Sequence, residues 1–204
     1  MSDRVTTVVF DVGRVLFQWD LKFLFGKLIA DPDGLERFVT TVVTPEWHFQ
    51  VDQGRDVADI VAERNAEYPQ HEALIRAYAA RFLETIPGPV PGSIALVEAL
   101  HARGVPLFAI TNFGDEFWAQ FRPLHPVFNR FRDIVVSGTE KLAKPGAEVY
   151  ALAERRFATE PGQMLFVDDS LANVDAARAR GWHGHHFIDA AGLENDLKQR
   201  GLLS

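Results

Sequence analysis

The sequence predicts an α/β protein in which a Rossmann-like parallel sheet core carries a small inserted helical cap domain. Three observations lead to this fold class. Residues 5–10 form an apolar run rich in β-branched side chains that ends at Asp11 and a glycine turn, which is typical of a buried central strand. Residues 16–87 contain helical patterns and no convincing strand. Beyond them, strands and helices alternate to the end of the chain.

The composition is that of a globular protein with one core. The chain has 204 residues, of which 47% are hydrophobic and 24% charged, and 28 acidic against 21 basic residues give a net charge of −7. This charge disfavours nucleic acid as a partner. The absence of cysteine excludes disulfides, thiolate nucleophiles and thiolate metal sites.

The apolar segments are too short to cross a membrane, which takes about 20 residues. A strand that begins near residue 5 leaves no room for a signal peptide. We therefore expect a cytoplasmic protein with no membrane partner, while the sequence leaves the oligomeric state open.

The cap is predicted from helical spacing. Leu21, Leu24, Phe25 and Leu28 recur at intervals of three and four residues, as the buried face of a helix does. Similar patterns follow later in the segment, and the proline- and glycine-rich residues 87–92 indicate a stiff return to the core. We expect the core to comprise residues 1–15 and 88–204, and the cap residues 16–87.

The second part of the core is predicted element by element. Glycine, proline and capping residues separate the segments and set their ends. Helices are expected over residues 93–103, 115–121, 145–157, 170–180 and 193–200, and strands over residues 105–111, 133–137, 163–168 and 183–188. Such alternation favours right-handed crossovers and a parallel sheet.

Polar side chains follow four of the predicted strands. They are Asp11, the pair Thr111 and Asn112, Lys144, and the pair Asp168 and Asp169. The carboxyl ends of parallel strands share one edge of the sheet, where open α/β sheets bind their ligands. We expect these clusters to converge on a single crevice.

The paired acids predict a metal site. Asp168 and Asp169 repel each other unless a cation compensates, and with Asp11 they form an all-oxygen site suited to Mg²⁺. The alternative is that both acids only cap the following helix, for which Ser170 or Asp169 could be the cap residue. Asn173 lies one helical turn after Asp169 and is expected to hydrogen-bond the carboxylates.

The remaining clusters predict an anion site. Thr111 and Asn112 combine a hydroxyl, an amide and free backbone N–H groups before a helix, and Lys144 adds a mobile positive charge. The alternatives are an ordinary Thr/Asn turn and a solvent-exposed lysine.

These residues, in this order, resemble the haloacid dehalogenase superfamily. The matching stretches are residues 8–16, residues 110–112, Lys144 with Pro145, and residues 166–170 with Asn173. The lysine–proline pair and the helical cap resemble the phosphatase-rich branch. The resemblance implies a Mg²⁺-dependent hydrolase of a small phosphorylated metabolite that works through an aspartyl-phosphate intermediate.

The same resemblance implies roles for individual residues. Asp11 would be the nucleophile. Mg²⁺ would be held by Asp11, the backbone carbonyl of Gly13, Asp169 and Asp168. Thr111, Asn112 and Lys144 would hold the transferring phosphoryl oxygens.

Gly13 departs from the family pattern. Related phosphatases usually carry there a second aspartate that acts as general acid and base, a contribution of about 10²–10⁴-fold. Relatives that also have glycine resemble sugar-1-phosphate phosphatases, so we expect an ester with a good leaving group, with sugar phosphates among the candidates. Asp20 could replace the acid or merely cap a helix, and Arg14 could reach substrate or point outward.

Cap residues should influence the choice of substrate. Trp47, His48, Asp52 and Gln53 form the most chemically mixed stretch of the cap and are candidates to face the crevice. Phe113, next to Asn112, is expected to form part of the pocket wall. Three histidines near the carboxyl terminus are not expected to bind a transition metal, because no third ligand accompanies the two that share a strand face: His183, His185 and His186.

Two competing functions stay open from the sequence. A 2-haloacid dehalogenase would use Asp11 to attack carbon without a metal, but it usually lacks the paired acids and has an aromatic residue at the position of Gly13. A catalytically weak protein that only binds a phosphorylated metabolite would keep the same fold. Dependence of activity on Mg²⁺ separates the first alternative from a phosphatase.

Overall fold

The computed structural model describes residues 4–204, so residues 1–3 of the predicted core lie outside the described part of the chain. It confirms the predicted α/β fold with a parallel sheet. In this part of the chain the sheet has five strands in the order β3-β2-β1-β4-β5. They are β1 (Thr7–Phe10), β2 (Leu107–Thr111), β3 (Asp133–Val136), β4 (Met164–Asp168) and β5 (His183–His186). Every neighbouring pair runs parallel.

The helices divide into two groups. Five helices, which we call the cap helices, directly follow β1: α1 (Leu21–Phe25), α2 (Pro32–Thr41), α3 (Pro45–Asp52), α4 (Val57–Glu67) and α5 (Glu72–Ala80). The core helices are α6 (Ser93–Ala102), α7 (Asp115–Phe121), α8 (Ser137–Glu140), α9 (Ala147–Phe157), α10 (Leu171–Ala179) and α11 (Ala190–Gln199).

The cap helices begin at side chains suited to helix starts. Asp31 accepts from the N–H of Gly34 before α2, and Thr44 accepts from the N–H of Trp47 before α3. A proline at the first turn follows each of these caps, where its missing N–H costs no hydrogen bond. Residues 31–34 thus lie at the start of α2, whereas α1 has already ended at Phe25.

Apolar side chains pack on both faces of the sheet. Val8 and Phe10 of β1 belong to a cluster that continues without a break into the cap helices, including Leu24 and Phe38. Val9 points to the opposite face, where a second cluster covers α9 and α10. Strand residues alternate between the two faces, which explains why β1 reads as one continuous apolar run.

The chain enters and leaves the cap side by side. Phe17 forms a β-bridge with Pro89, and the N–H of Gln18 donates to the carbonyl of Gly88 at 2.9 Å. The division into a core of residues 1–15 and 88–204 and a cap of residues 16–87 stays a prediction, since the apolar cluster is shared across it.

Some predicted ends were wrong by a few residues. The helix expected over residues 145–157 begins at Ala147, because Gly146 has a non-helical backbone conformation, with φ −57° and ψ 135°. The last helix begins at Ala190 rather than residue 193, because Asp189 caps it by accepting from Gly192 N–H. Among the described residues, no helix combines the length and apolar character needed to cross a membrane.

Candidate active site at the carboxyl ends of the strands

Asp11 directly follows the central strand and is held firmly. Its backbone N–H donates to the carbonyl of Val167 at 2.8 Å, which continues the pairing of β1 with β4. Its Oδ1 accepts the N–H of Val12 at 2.7 Å and lies 2.7 Å from Nζ of Lys144. The Asp11 side chain is only 11% exposed, so this carboxylate has one fixed orientation.

Lys144 is an enclosed cation. Its Nζ lies 2.7 Å from Asp11 Oδ1 and 2.7 Å from Asp168 Oδ2, and its side chain is 1% exposed. The alternative of a solvent-exposed lysine is therefore wrong. A buried ammonium group requires such compensation, because removing a charge from water is costly unless opposite charges face it.

Asn112 fastens the loop that carries Lys144. Its Nδ2 donates to the carbonyl of Lys144 at 3.0 Å, and its Oδ1 accepts the Lys144 N–H at 2.9 Å. The amide is thus committed to this loop, and its contact with a phosphoryl group stays a prediction. Thr111 is 1% exposed, and no hydrogen-bond partner for its Oγ1 exists within residues 4–204.

Asp168 is fully enclosed and accepts several hydrogen bonds. Besides Lys144, it receives the N–H of Ser170 on Oδ1 at 2.8 Å and Nδ2 of Asn173 at 3.0 and 3.1 Å. Asp168 thus holds the backbone of Ser170, the residue that precedes α10, whereas the side chain of Ser170 makes no capping hydrogen bond to the helix. Asn173 lies where the sequence suggested, with Asp168 as its partner.

Asp11, Asp168 and Asp169 form a cluster of acids. Each offers an oxygen atom, and these atoms lie within 4.8 Å of one another. Burial raises the pKa of Asp11 to about 7; Lys144 opposes this rise, whereas the charges of Asp168 and Asp169 add to it. Burial followed by the charge of Asp168 likewise raises the pKa of Asp169. A donor set of carboxylate oxygens under mutual repulsion fits a hard divalent cation such as Mg²⁺.

The entrance to this cluster is lined by Gly13 and Arg14. A Cβ added to Gly13 would meet nothing within 4 Å, so the position two residues after Asp11 is open space. Arg14 lies 3.8 Å from Asp169 Oδ2, and its guanidinium group stacks 4.9 Å from the centre of the Trp19 ring. It therefore borders the site instead of pointing away from it.

A cavity of about 260 Å³ opens above Asp11. Asp11, Gly13, Asn112, Asp169 and Asn173 line it from the core. The larger part of the wall is apolar and mainly aromatic: Phe17, Trp19, Phe49, Phe82, Ile86, Phe113 and Phe121. Phe113 thus forms part of the wall as expected, whereas Thr111 and Lys144 are too enclosed to reach the cavity surface.

Two of the four candidate cap residues line the cavity. His48 and Asp52 lie one turn apart on the same face of α3. Trp47 and Gln53 were wrong candidates: Trp47 packs against Tyr78 inside the cap, and Gln53 is exposed beyond the end of the helix. Phe49 takes their place in the wall.

His48 and Asp52 are both buried and electrically unusual. Nδ1 of His48 lies 2.6 Å from Oη of Tyr78, and its Nε2 lies 3.5 Å from Oδ2 of Asp52. Burial lowers the pKa of His48 to about 3. Burial, with a further contribution from the charge of Asp11, raises the pKa of Asp52 to about 8, which Gly114 N–H and Lys144 partly oppose.

Other sequence candidates lie elsewhere. Asp20 caps α1, accepting the N–H of Lys22 at 2.8 Å, and is not part of the cavity wall. His185 pairs with Asp196, and His186 contacts the carbonyl of Asp169 at 2.9 Å. The aromatic lining from Trp19 and Phe82 was missed because helical spacing alone does not distinguish a core residue from a cavity wall.

Comparison with known proteins agrees with this geometry. The model of the haloacid dehalogenase-like hydrolase family matches residues 5–181. A sesquiterpene phosphatase of Aspergillus oryzae is 28% identical over 202 residues, which cover 98% of this chain and 98% of that protein.

Two solved structures share the fold. A predicted haloacid dehalogenase-like hydrolase of Porphyromonas gingivalis superimposes with a TM-score of 0.74 at 15% identity, covering 96% of this chain and 97% of that one. A haloacid dehalogenase family enzyme of Bacteroides thetaiotaomicron, in complex with magnesium and inorganic phosphate, gives 0.67 at 18% identity over 91% and 95% of the two chains. The strand-end constellation and the family match over most of the chain lead to one conclusion: this protein belongs to the haloacid dehalogenase-like hydrolases.

Proposed function

We propose that this protein is a Mg²⁺-dependent phosphatase that hydrolyses a phosphate monoester through a phosphorylated Asp11. The observation that supports this proposal most strongly is the position of the Asp11 carboxylate. It lies 2.7 Å from Lys144, within a cluster of carboxylate oxygens that suits a divalent cation. The phosphatase name of the Aspergillus oryzae relative supports the reaction, and the magnesium and phosphate bound by the Bacteroides thetaiotaomicron enzyme support the cofactor.

In the first step, an oxygen of Asp11 attacks phosphorus in line with the ester bond. The bond between phosphorus and the substrate oxygen breaks, and the alcohol leaves. Water then attacks the phosphorus, which releases inorganic phosphate and restores Asp11. Lys144 favours the ionised form of Asp11 and contacts its Oδ1 at 2.7 Å before attack.

We assign the ion to Asp11, Asp169 and the carbonyl of Gly13, which line the cavity. When bound, Mg²⁺ neutralises the repulsion between an anionic carboxylate and an anionic phosphate. Asp168 is surrounded by Lys144, Ser170 and Asn173, so its main task in this proposal is to keep Lys144 in place.

We propose an ester with an apolar organic group as the substrate. The cavity wall beyond the acids is mainly aromatic, and His48 and Asp52, the polar residues that α3 contributes to it, face each other at 3.5 Å. A sugar would need partners for several hydroxyl groups, and each polar group buried without a partner costs about 1–3 kcal/mol. The terpenoid substrate in the name of the Aspergillus oryzae relative points the same way.

A phosphate-release assay tests this function. Farnesyl phosphate, phenyl phosphate and glucose 1-phosphate are compared at saturating Mg²⁺, after chelation with EDTA, and after Mg²⁺ is restored. We expect hydrolysis that requires the metal and a higher kcat/KM for farnesyl phosphate than for glucose 1-phosphate. Halide release from 2-haloacids without a metal would favour a dehalogenase, and binding without turnover would favour a binding protein. A small-metabolite partner and a cytoplasmic location stay predictions.

A further inference from the structure

Asp52 is a buried acid in the cavity wall that is neither the nucleophile nor a ligand of the ion. It lies at the end of α3, is 6% exposed, and shares the cavity with Asp11. Its Oδ1 has no hydrogen-bond partner in the part of the chain that the structure describes. This oxygen is itself buried, and because the residue lines the cavity, a bound ligand is the partner that could exchange a proton with it.

Close packing holds the end of α3 over the loops that carry the site. A Cβ on Gly114, just after β2, would lie 2.3 Å from Cγ1 of Val51. A Cβ on Gly54 would lie 2.9 Å from Cγ of Lys141, and Gly54 has a φ of +89°. Only glycine permits these approaches at both positions. Asp52 is therefore fixed relative to the core and does not depend on a mobile loop.

His48 and Tyr78 determine how Asp52 is presented. Burial raises the pKa of Tyr78 well above its usual value, so its hydroxyl keeps its proton, and Oη shares a hydrogen bond of 2.6 Å with Nδ1 of His48. Nε2 of the imidazole faces Oδ2 of Asp52 at 3.5 Å. The imidazole ring is stacked between Trp19 and Phe82, with centroid distances of 5.0 and 5.3 Å. This arrangement leaves Oδ1 as the free oxygen.

The reaction needs a group that supplies a proton. An alkoxide is a poor leaving group, and the open space at Gly13 provides no acid. Arg14 pairs with Asp169 and stacks on Trp19, and burial lowers the pKa of His48 to about 3. Asp169 is assigned to the ion.

Asp52 is the cavity-lining carboxyl left over. Of the charged groups near Asp52, Asp11 stabilises the protonated form of Asp52, whereas Lys144 stabilises its ionised form. Burial is the largest contribution, and together with the charge of Asp11 it raises the pKa of Asp52 to about 8 against the opposing effects of the Gly114 N–H and Lys144. The carboxyl is thus present in its protonated form near neutral pH.

We propose that Asp52 donates a proton to the substrate oxygen as its bond to phosphorus breaks, and then accepts a proton from the water that attacks the phosphorylated Asp11. The alcohol leaves with the proton of Asp52. The second step returns a proton to Asp52 while phosphate departs, so the cycle closes. This inference rests on the proposed phosphatase function, and it replaces the sequence-based expectation that only esters with good leaving groups are hydrolysed.

The test compares two esters that differ in their need for a proton. Hexyl phosphate releases an alkoxide, whereas 4-nitrophenyl phosphate releases a stable phenolate. We expect Asp52→Asn to lower kcat/KM for hexyl phosphate at least about 100-fold and for 4-nitrophenyl phosphate less than about 3-fold. kcat/KM is the appropriate quantity because it reports the steps up to the departure of the alcohol. The matched control is Asp59→Asn, an exposed acid outside the cavity, which should leave both values unchanged.

A pH profile tests the same point without any substitution. For the wild-type protein, kcat/KM for hexyl phosphate should fall as the pH rises past about 8, because the donor loses its proton, while 4-nitrophenyl phosphate should lack this decline. An equal loss on both esters in Asp52→Asn, or the same profile for both in the wild type, would overturn the role of Asp52. If the wild type hydrolyses neither ester, the proposed function and this inference both fail. If the wild type hydrolyses both esters but Asp52→Asn lowers kcat/KM equally for the two, only the role of Asp52 fails and the phosphatase function stands.

Discussion

The two sides of the cavity are built in opposite ways. On the core side, Asp11, Lys144, Asp168 and Asn173 form a network in which charges and hydrogen bonds compensate one another. On the cap side, aromatic rings dominate, and the buried acid Asp52 leaves one oxygen without a partner. The core side is organised for one fixed electrostatic task, and the cap side for the shape of an apolar group.

This difference shows how function is divided along the chain. The charged network depends on strand ends, whose positions the sheet fixes. The aromatic wall depends on cap helices that share an apolar cluster with the sheet. Changes on the core side should therefore affect all substrates alike, whereas changes on the cap side should alter the preference among substrates. Four substitutions test this contrast, and they follow in decreasing order of expected effect.

Asp11→Asn should have the largest effect. Removing the nucleophile should lower kcat at least about 1,000-fold on every phosphate ester, because no other cavity-lining carboxylate is assigned to attack. Phosphate release under saturating Mg²⁺ measures the loss. Asp59→Asn, outside the cavity, serves as the control. A loss confined to one ester would contradict a common nucleophile.

Lys144→Met should destabilise the protein as well as inactivate it. Removing the buried cation leaves Asp11 and Asp168 without compensation, which costs about 3–5 kcal/mol. Without Lys144, which opposes the rise, the folded-state pKa of Asp11 would lie further above its unfolded value than the present value of about 7, so the loss should grow as the pH rises past about 7. Urea unfolding without metal measures this change against Lys198→Met, an exposed control. A loss independent of pH would argue against the charge network.

Trp19→Ala should alter substrate preference more than overall activity. Loss of this part of the aromatic wall should lower kcat/KM for farnesyl phosphate about 10–100-fold, the range expected for about 1–3 kcal/mol of apolar contact. Hydrolysis of acetyl phosphate, which does not reach the wall, should change little. Phe23→Ala, whose ring is 39% exposed outside the cavity, is the matched control. Equal losses on both substrates would remove the contrast between the two sides.

Arg14→Gln should have the smallest effect. Arg14 lies at the entrance with its side chain 51% exposed and 3.8 Å from Asp169, so the ion pair is worth at most about 1 kcal/mol. Removing a positive charge beside the metal site should tighten Mg²⁺ binding, by no more than about 5-fold. Titration calorimetry measures the affinity, with Arg76→Gln on α5 as the control. Weaker Mg²⁺ binding would instead make Arg14 a structural support of the site.

The sequence predicted the core side well and the cap side poorly. Apolar runs mark where β1 and β4 end, so Asp11 and Asp168 could be placed at one edge before any coordinates were known. Helical spacing could also bring His48 and Asp52 to one face of α3. It could not show which face of α3 meets the core. That depends on the close approaches of Gly114 to Val51 and of Gly54 to Lys141, and the residues of each pair are far apart in the sequence.

The burial of Lys144 could not be predicted from the sequence either, because it also depends on a contact between residues that are far apart in the chain. Its position results from two hydrogen bonds between Asn112 and the Lys144 backbone, a contact between residues 32 positions apart. A lysine before a proline looks like a surface residue when only its neighbours in the chain are considered. The sequence can name the candidate residues, but contacts of this kind, between distant positions, determine how those residues are arranged.

Binding of beryllium fluoride, which imitates a phosphoryl group on a carboxylate, tests the nucleophilic role of Asp11 most directly. With Mg²⁺ present, the fluorine NMR spectrum of the wild-type protein should show bound beryllium trifluoride. The bound signals should disappear in Asp11→Asn and after chelation of the metal. Bound signals that persist in Asp11→Asn, or that are missing from a wild-type protein that hydrolyses phosphate esters, would contradict a phosphorylated Asp11.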